Sequence, residues 1–462
     1  MADTYSIPGC IRKYLKDNGF PFPYEYMSEY ISMWERMYRS QGEFWDYDDT
    51  DQSGRKYKVH RRTIKPFKRV CREWSSLILG EGITIGTEDE ECNEFLKTYL
   101  HEVGFMRNTQ GLIQRAFGIG TAALSLQLDF DNGKIQIRRS LAKQIVPLSW
   151  DDDGVYEVAL CSQCVIGGKC YDQLQMHILE DDGYHIKTIY FDDKGEQVTI
   201  DGVIDDYPTG SHNPWFAIIK PALDNDLVDM SPYGVSIYED AVDALQSVDL
   251  AFDTMISEDD LGKMRVFLSD MMFEVDNGTA IPFGKNDATL YRNVQDSDGN
   301  LIHEFAPALR TDAQAKIYRL SLQTMGDLCG FGLGYFDIDE TGGLKTATEV
   351  ASDNSQLMRN LKNHENLLEV ALQTIVRAIC EAQNNIDESK KLEPGIVTVK
   401  FDDSIIVDTA AEKAQDLAEV GVTMNAWEFR VKHYGESEEE AKANVPSASQ
   451  TNLSVIDSAY GI

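Results

Sequence analysis

The segment from Gly330 to Ile379 constrains the fold most, because a glycine- and acid-rich loop leads directly into a very long capped helix. Thr346 and Glu349 form a capping box, whose side chains satisfy free amides of the first helical turn. Apolar residues then recur in steps of three and four and predict one helical stripe. The stripe consists of Val350, Leu357, Leu361, Leu368, Leu372, Ile375 and Ile379, with Asn354 and His364 in the remaining slots. With a rise of about 1.5 Å per residue, the predicted helix is about 50 Å long.

The overall charge limits the classes of partner that the chain can bind. The 462 residues are enough for two to four domains, or for one elongated chain with a sizeable core. The formal net charge of −34 argues against a general nucleic-acid binder, which needs a basic surface to displace counterions from phosphate. Such a charge fits a protein that repels DNA or lets a polyanion pass without holding it. The simpler interpretation is that the charge only keeps the protein soluble.

The N-terminal sequence and the cysteine content indicate a cytosolic globular protein. The N-terminus lacks the basic, apolar and small-residue order of a signal peptide, and no apolar run of about 18 residues is present, so we expect no membrane partner. Eight cysteines are too few for a disulfide scaffold in a chain of this length, which favours a reducing compartment.

Two amphipathic helices flank a short β-rich region. The range 237–255 places apolar residues on one narrow arc, and Asp312 to Cys329 predicts a second helix after the strands and turns of 263–308. Four acids lie on the other side of the first helix: Glu239, Asp243, Asp249 and Asp253. A helix with an acidic back is commonly an ordinary surface helix. Repeated around a ring, however, that back would form an anionic channel wall.

The rest of the chain alternates between helical and extended patterns. We predict helices at 24–39 and 110–117, and a hairpin of strands 122–130 and 134–139 around the turn Asp131-Asn132-Gly133. Further alternating runs at 155–165 and 185–191 extend an antiparallel region. A strand is predicted at 396–401, and acidic helices between 410 and 443 are interrupted near Gly421 and Gly435.

A basic island interrupts this acidic chain between Arg55 and Arg72. Its central cations are Arg61, Arg62, Lys65, Lys68 and Arg69, and the aromatic residues Tyr57 and Phe67 are interleaved as in a nucleic-acid surface. The alternative is a helix face that pairs with acids of a neighbouring segment or subunit. In so acidic a chain we favour this second interpretation.

Three motifs suggest a ligand, and each fails on its context. Cys161, Cys164, Cys170 and His177 carry metal-ligand chemistry, but a strand would place Cys161 and Cys164 on opposite faces. The glycines 118 and 120 follow a helix and precede a strand, the reverse of a dinucleotide site. The acids that begin at Asp337 imitate a calcium loop, but Thr348 stands where the bidentate Glu is needed. We therefore predict no metal, no cofactor and no catalytic residue.

Several of these segments, in this order, resemble the portal proteins of tailed double-stranded DNA bacteriophages, of the siphophage type. The resemblance rests on RRTIKPFK (61–68) with WSSLILGEG (74–82), on FGIGTAAL (117–124), on the two helices around a β insertion, on the KTATEV segment (345–350), and on VKFDD (399–403). It implies an α+β, portal-like elongated subunit with a mixed α/β wing, two stem helices, a small β-rich clip, a long helix and a helical crown. The implied parts are the wing (1–232), the first stem helix (233–257), the clip (258–309), the second stem helix (310–330), the tunnel loop (331–345), the long wing helix (346–388), a wing strand (389–407) and the crown with the tail (408–462).

The resemblance also implies the function and the partners. Portal proteins form a ring, usually of twelve subunits, at one capsid vertex of the virion, and DNA is packaged and ejected through its channel. The implied partners are the terminase large subunit, a head-completion or connector protein, the major capsid and scaffolding proteins, and double-stranded DNA in transit, with assembly in the cytoplasm of a bacterial host. The tunnel-loop residues expected at the channel are Phe331, Gly334, Asp337, Asp339, Glu340, Lys345 and Thr346. Two alternatives remain, an acidic structural adaptor of the virion and an enzyme with an unrecognised site.

Overall fold

The computed structural model describes two compact units, in which helices combine with small, mostly antiparallel sheets in an α+β fold. The first unit comprises Met1–Thr341 with Asp353–Phe401, and the second comprises Gly342–Ser352 with Asp402–Ile462. The described residues are 6–50, 54–80, 82–129, 133–200, 203–262, 308–336, 355–387, 391–401, 413, 416–421, 424–434 and 437–445, together with the backbone of five short strands between 265 and 305. No helix among these residues is long and apolar enough to cross a membrane.

The described helices fall into two groups, eight in the first unit and two in the second. They are α1 (Gly9–Asp17), α2 (Tyr24–Tyr38), α3 (Pro66–Leu79), α4 (Glu90–Glu102), α5 (Phe105–Ile119), α6 (Val242–Leu261), α7 (Thr311–Leu328), α8 (Ser355–Ile386), α9 (Ala426–Tyr434) and α10 (Glu438–Asn444). The predictions for α2 and α5 are confirmed, although α5 is longer than the sequence pattern indicated.

The described strands form small sheets. They are β1 (Asp46–Thr50), β2 (Lys56–His60), β3 (Ile83–Gly86), β4 (Ala122–Asp129), β5 (Lys134–Leu141), β6 (Ile145–Asp151), β7 (Gly154–Ile166), β8 (Lys169–Glu180), β9 (Gly183–Phe191), β10 (Gln197–Val198), β11 (Asp206–Pro208), β12 (Phe216–Ile219), β13 (Arg265–Ser269), β14 (Val275–Asp276), β15 (Thr279–Ala280), β16 (Leu290–Asn293), β17 (Ile302–Phe305) and β18 (Thr398–Phe401). The largest sheet has the order β10-β9-β8-β7-β6, with β11 also paired to β9.

Local turn chemistry and long-range pairing both contribute to these sheets. The predicted hairpin is confirmed, because β4 and β5 pair antiparallel from Ala122 opposite Leu141 to Asp129 opposite Lys134. In contrast, β18 pairs with β3, which is about 300 residues away along the chain. The predicted strand at 396–401 therefore exists, but its partner has no local sequence signal.

The long helix α8 confirms the apolar stripe from Leu357 onward. Its 32 residues give a length of about 48 Å. The stripe residues of α8 are buried: Leu357, Leu361, Leu368, Leu372, Ile375 and Ile379. His364 is buried in the same row, and its Nδ1 accepts a hydrogen bond from the backbone N–H of Ala222 at 3.0 Å. Val350, Asn354 and the capping box at 346–349 lie outside the described residues.

A close approach between Gly120 and Gly234 positions the segment that leads into α6. Gly120 has φ +83°, and a Cβ added there would lie 2.4 Å from the carbonyl oxygen of Gly234. The two backbones therefore approach more closely than any side chain would allow. Tyr238 continues this junction, because its hydroxyl donates to the carbonyl oxygens of Trp34 and Gly118 at 2.9 and 2.7 Å. These contacts fix the position of the chain just before α6 begins.

The second unit confirms the predicted helices between 410 and 443. α9 and α10 lie on either side of Gly435, and Gly421, with φ +87°, precedes α9. Ser437 caps α10 together with Glu440 in a capping box. Asp416 accepts from Lys432 and contacts His433, both at 2.6 Å, which ties the residues before Gly421 to α9.

Candidate functional site

The two predicted stem helices lie side by side and run antiparallel. α6 starts at Val242, after a short 3₁₀ turn at Glu239–Ala241, and continues to Leu261, so it begins and ends later than predicted. The rings of Phe252 and Tyr318 are 6.5 Å apart near the middle of the pair. At the far end, the Glu258 carboxylate accepts from Arg310 Nε at 2.8 Å and from Gln314 Nε2 at 2.6 Å. Arg310 holds the pKa of Glu258 below its ordinary value.

The apolar arc of the first helix faces the interior of the subunit. Ile237, Ala241, Leu245 and Val248 are buried, and the last three have no exposed surface. Phe252, further along the arc, is only partly buried. The predicted arc is therefore a core element of the single subunit, independent of any neighbour.

The acidic back of α6 does not form one exposed face. Only Asp243 is exposed, whereas Glu239 and Asp253 are partly covered. Glu239 accepts from Trp34 Nε1, and Asp253 pairs with Arg62 at 3.6 Å. Asp249 is fully buried, so the expectation that it belongs to an exposed acidic wall is wrong.

Asp249 is a structural acid that joins α6 to the segment before α3. Its carboxylate accepts hydrogen bonds from Trp45 Nε1 at 2.8 Å, Thr63 Oγ1 at 2.7 Å and the backbone N–H of Ile64 at 3.0 Å. Burial raises the pKa of Asp249, and these donors oppose that rise. Helical periodicity assigns the residue to the polar side of α6, but its partners come from residues almost 200 positions earlier.

The second stem helix, α7, carries two apolar rows that face different directions. Leu322 and Met325 are buried within the subunit, as is Cys329, the residue that follows the helix. A second row, which we call the α7 stripe, consists of Ile317, Leu320 and Leu328, with exposed fractions of 53, 52 and 50%. Their spacing of three and eight residues places them on one side of the helix. These three side chains therefore lie outside the subunit core, which the apolar periodicity of the helix alone does not reveal.

The beginning of the tunnel loop is packed against the first unit, although it contains three glycines, Gly330, Gly332 and Gly334. Phe331 is buried and stacks on Trp74 with 4.5 Å between ring centroids, and Phe336 contacts it edge-on at 5.2 Å. Asn360 Nδ2 donates to the carbonyl oxygen of Gly330 at 2.9 Å, and Trp74 Nε1 donates to that of Cys329 at 3.0 Å. We call residues 330–336 with these contacts the aromatic anchor.

The aromatic anchor connects two helices of the first unit, α3 and α8. Trp74 belongs to α3, Asn360 to α8, and Arg69 lies 5.0 Å from the centroid of the Phe336 ring. Gly334 is exposed within the anchor, and a Cβ added there would meet no atom within 4 Å. The other residues expected at the channel, Asp337, Asp339, Glu340, Lys345 and Thr346, lie outside the described residues.

The central cations of the basic island have different surroundings. Arg61 lies over the Phe44 ring at 4.5 Å, and Arg62 contacts Asp253 and Ser257 of α6. Lys65 has a left-handed backbone, with φ +57°, immediately before α3, and its side chain is exposed like that of Lys68. Contacts within the subunit therefore involve Arg61, Arg62 and Arg69, whereas Lys65 and Lys68 face solvent in this single chain.

The metal-like residues noted in the sequence do not converge. In the β7–β8 ladder Cys161 lies opposite Leu174, and Cys164 lies opposite Tyr171, so the two thiols are on opposite faces. His177 is fully buried, and burial lowers its pKa to about 3. A second cluster, Glu180, Asp182 and His185, was missed because it forms only through the β8–β9 turn. His185 Nδ1 already contacts Asp206 at 2.8 Å.

Comparison with known families then identifies the class of protein. The family model of phage portal proteins, SPP1 Gp6-like, matches residues 27–423, which is most of the chain. The chain therefore belongs to the phage portal protein family, and the resemblance stated from its sequence is confirmed. A search of curated protein sequences gives no match.

Three solved structures to which the chain is similar come from gene transfer agent (GTA) particles. One is the neck of a native GTA particle computed with C12 symmetry, with 12% identity, a TM-score of 0.37, and coverage of 87% of this chain and 92% of that chain. Another is the neck of an empty GTA particle computed with C6 symmetry, with 11% identity, a TM-score of 0.40 and the same coverage. A third is the virion of a native gene transfer agent (GTA) particle, with 12% identity and a TM-score of 0.37, again covering 87% of this chain and 92% of that chain.

Proposed function

We propose that the protein forms a ring of about twelve subunits at one capsid vertex of a virion, through which double-stranded DNA is packaged and ejected. The observation that carries this proposal is the family match over residues 27–423, which spans α2 to the start of the second unit's helices. The described order of helix, short strands, helix, loop and long helix agrees with it. We propose that the ring assembles in the cytoplasm of a bacterial host with capsid and scaffolding proteins.

The α7 stripe provides a surface for contacts between subunits. Three large aliphatic side chains in one row, each about half exposed, are costly for a free subunit in water. In a ring, the same row would be covered once per subunit by a neighbouring copy. We infer that the stripe lies in the interface between adjacent subunits, while the buried arc of α6 holds each stem together internally.

Negative charge in the channel would prevent DNA from binding tightly to the wall. Asp243 is exposed and Asp253 and Glu239 are partly exposed, so these three remain candidates for the lumen, and Asp249 does not. At a few ångströms, repulsion between carboxylate and phosphate is weakly screened, whereas beyond about 10 Å salt screens most of it. Repulsion repeated around a ring leaves no deep binding well along the path of the DNA.

The tunnel loop would be held in place at its start, and the part beyond it would be the part that moves. The aromatic anchor ties residues 330–336 to α3 and α8, so any movement relevant to DNA belongs to the part that follows Phe336. Asp337, Asp339 and Glu340 would keep that part from binding phosphate stably, and Lys345 is a candidate contact for the DNA backbone. Thr346 would begin the capped helix at the loop exit.

The clip would dock the terminase large subunit and, after packaging, a connector protein. The ends of α6 and α7 are adjacent, because a Cβ added to Gly262 would lie 2.2 Å from a methyl carbon of Leu309. The segment between them must therefore leave the stem and return to the same place. An excursion of this kind is a suitable docking element, since it can vary without disturbing the stem.

The tunnel loop offers the direct test of the proposed channel. A variant with proline at both Gly334 and Gly342 restricts the loop, and one with alanine at both positions is the matched control, because alanine keeps the backbone N–H and restricts the chain less. Both variants should form rings, but the proline variant should package less DNA per particle. Lys345→Ala should reduce packaging in the same direction but by less, because one exposed cation contributes little.

Packaged DNA per particle is measured with ring formation checked in parallel by negative-stain imaging. Normal packaging by the proline variant would contradict the proposal that this loop is a moving part of the channel. A protein that forms no ring at all would contradict the portal proposal itself. A monomeric enzyme would give that second result.

A further inference from the structure

Two cysteines that are far apart in sequence meet inside the first unit. Cys92 lies in the first turn of α4, and Cys380 lies near the end of α8. Neither has exposed surface, and their Sγ atoms are 2.9 Å apart. A disulfide bond is about 2.05 Å long, and ordinary contacts between non-bonded heavy atoms begin at about 3.5 Å. The two sulfur atoms are therefore already closer than a normal packing contact.

The surroundings of Cys92 fix the position of its thiol. The backbone N–H of Cys92 donates to the Asp89 carboxylate at 2.8 Å, which caps α4. Just before the cap, the backbone N–H of Glu88 donates to the Pro394 carbonyl oxygen at 3.2 Å. The start of α4 is thus tied to the segment that follows α8. On the other side, Ile379 and Ala382 of α8 are buried beside Cys380.

We propose that Cys92 and Cys380 form an intrasubunit disulfide when the protein meets a small peroxide, such as hydrogen peroxide. A thiol attacks one peroxide oxygen, giving a sulfenic acid and one water. The second thiol then attacks the sulfenic sulfur, forming the S–S bond and releasing a second water. In total, two thiols and one peroxide give one disulfide and two waters, so the peroxide is the oxidant and is fully reduced.

The buried location decides which oxidant and which sulfur take part. Hydrogen peroxide is close to water in size and can enter where a larger disulfide reagent cannot. Burial, and next the adjoining thiol of Cys92, raises the pKa of the Cys380 thiol, so Cys380 keeps its proton. Cys380 is therefore the less reactive thiol of the pair, and we assign Cys92 as the first nucleophile. Cys380 resolves the sulfenic acid.

The disulfide would fasten the long helix to α4 across a separation of 288 residues in sequence. A cross-link that closes so long a loop restricts the unfolded chain strongly and should raise stability. The reducing cytosol would keep the pair open during synthesis, and an oxidising exterior would allow it to close. This inference goes beyond the proposed channel and does not depend on it.

The test uses the full-length reduced protein and hydrogen peroxide, with Cys170 as an internal reporter. Cys170 is exposed, so the peroxide concentration is raised until Cys170 is fully oxidised. The reaction is quenched in acid, free thiols are alkylated in denaturant, and the protein is digested without reduction. We expect a linked peptide pair containing Cys92 and Cys380 with a mass two hydrogens below the sum of its parts, and a melting temperature several degrees higher that returns to its starting value with reductant.

Two variants and one outcome decide the proposal. Cys380→Ser should give neither the linked peptide nor the rise in melting temperature, whereas Cys170→Ser should give both. If Cys380→Ser folds poorly, the comparison of oxidised and reduced wild-type protein still decides the matter. Recovery of both Cys92 and Cys380 as alkylated thiols while Cys170 is fully oxidised would overturn the proposal.

Discussion

The α7 stripe gives a quantitative prediction about assembly. Complete burial of an aliphatic side chain contributes about 1.5–3 kcal/mol. Leu320 still has 52% of its surface exposed, so covering the rest would add about 1 kcal/mol per interface. Leu320→Glu loses this contribution and also places a carboxylate against apolar surface, which costs about 2–4 kcal/mol more. The total of about 3–5 kcal/mol lowers the affinity of each contact between subunits by a factor of roughly 100 to 4,000.

The same substitution should leave the single subunit folded. An exposed position on a helix tolerates glutamate, which is a good helix former, so the free energy of unfolding should change by less than about 0.5 kcal/mol. Ala315→Glu is the matched control, because Ala315 is exposed on the same helix, lies about 200° around from Ile317, and changes by the same charge. Leu245→Asp is the opposite case. Its side chain has no exposed surface, so the buried charge should unfold the subunit.

Light scattering after size exclusion measures the assembly, and urea denaturation measures the subunit. We expect Leu320→Glu to give folded monomers, Ala315→Glu to give rings, and Leu245→Asp to give little folded protein. Intact rings of Leu320→Glu would refute the assignment of the α7 stripe to the interface. Equal loss of rings in Ala315→Glu would show that added negative charge, and not the lost apolar contact, breaks the assembly.

Three further predictions concern the clip, Asp249 and His177. Replacing 264–307 with a short Gly-Ser linker should leave the stem folded, because its ends are adjacent, and should abolish terminase binding in a pull-down; retained binding would place docking elsewhere. Asp249→Ala leaves three donors unsatisfied and should cost about 3 kcal/mol or more in urea denaturation, whereas exposed Asp243→Ala should cost less than about 0.5 kcal/mol. Neither ring nitrogen of His177 has a hydrogen-bond partner among the described residues, and its folded pKa of about 3 lies below the ordinary 6.5. The neutral imidazole therefore contributes fully to the free energy of unfolding above pH 6.5, and this contribution is lost as the pH falls towards 3, by about 2 kcal/mol between pH 7 and 5. His177→Leu should remove that part of the acid sensitivity in urea denaturation. An unchanged pH dependence of the variant would contradict this explanation.

Regular patterns in the sequence predicted the elements well. The stripe of α8 follows from the spacing of its apolar residues, and the β4–β5 hairpin follows from its turn residues. Both signals lie within a short stretch of sequence. The stem helices were placed within about six residues of their ends, where caps and fraying decide the boundary. The partner of β18 and the site of Cys92 and Cys380 depend instead on chain segments that meet only in the folded protein.

Partner identity explains why the candidate site was predicted less well than the fold. The glycines of the tunnel loop allow many backbone conformations, but the Phe331 ring stacks on Trp74, more than 250 residues away in sequence, and holds the start of the loop in place. Periodicity assigned Asp249 to an exposed face, although it is buried among donors that precede it by about 190 residues. In both cases the side chain's own type was compatible with either environment. Only the distant partner decided between them.

Contacts within the subunit limit which acids of the first stem helix could face a channel. Glu258 is neutralised by Arg310, Asp253 contacts Arg62, and Asp249 is enclosed by donors, so much of the local charge already acts within the subunit. The formal net charge of −34 belongs to the whole chain and does not measure the charge that the stem would present to DNA in a channel. Asp243 remains as the exposed acid of the original four. Its effect on DNA would come from repetition around a ring, since one exposed carboxylate has little influence, whereas a circle of them acts on the phosphate backbone from every side.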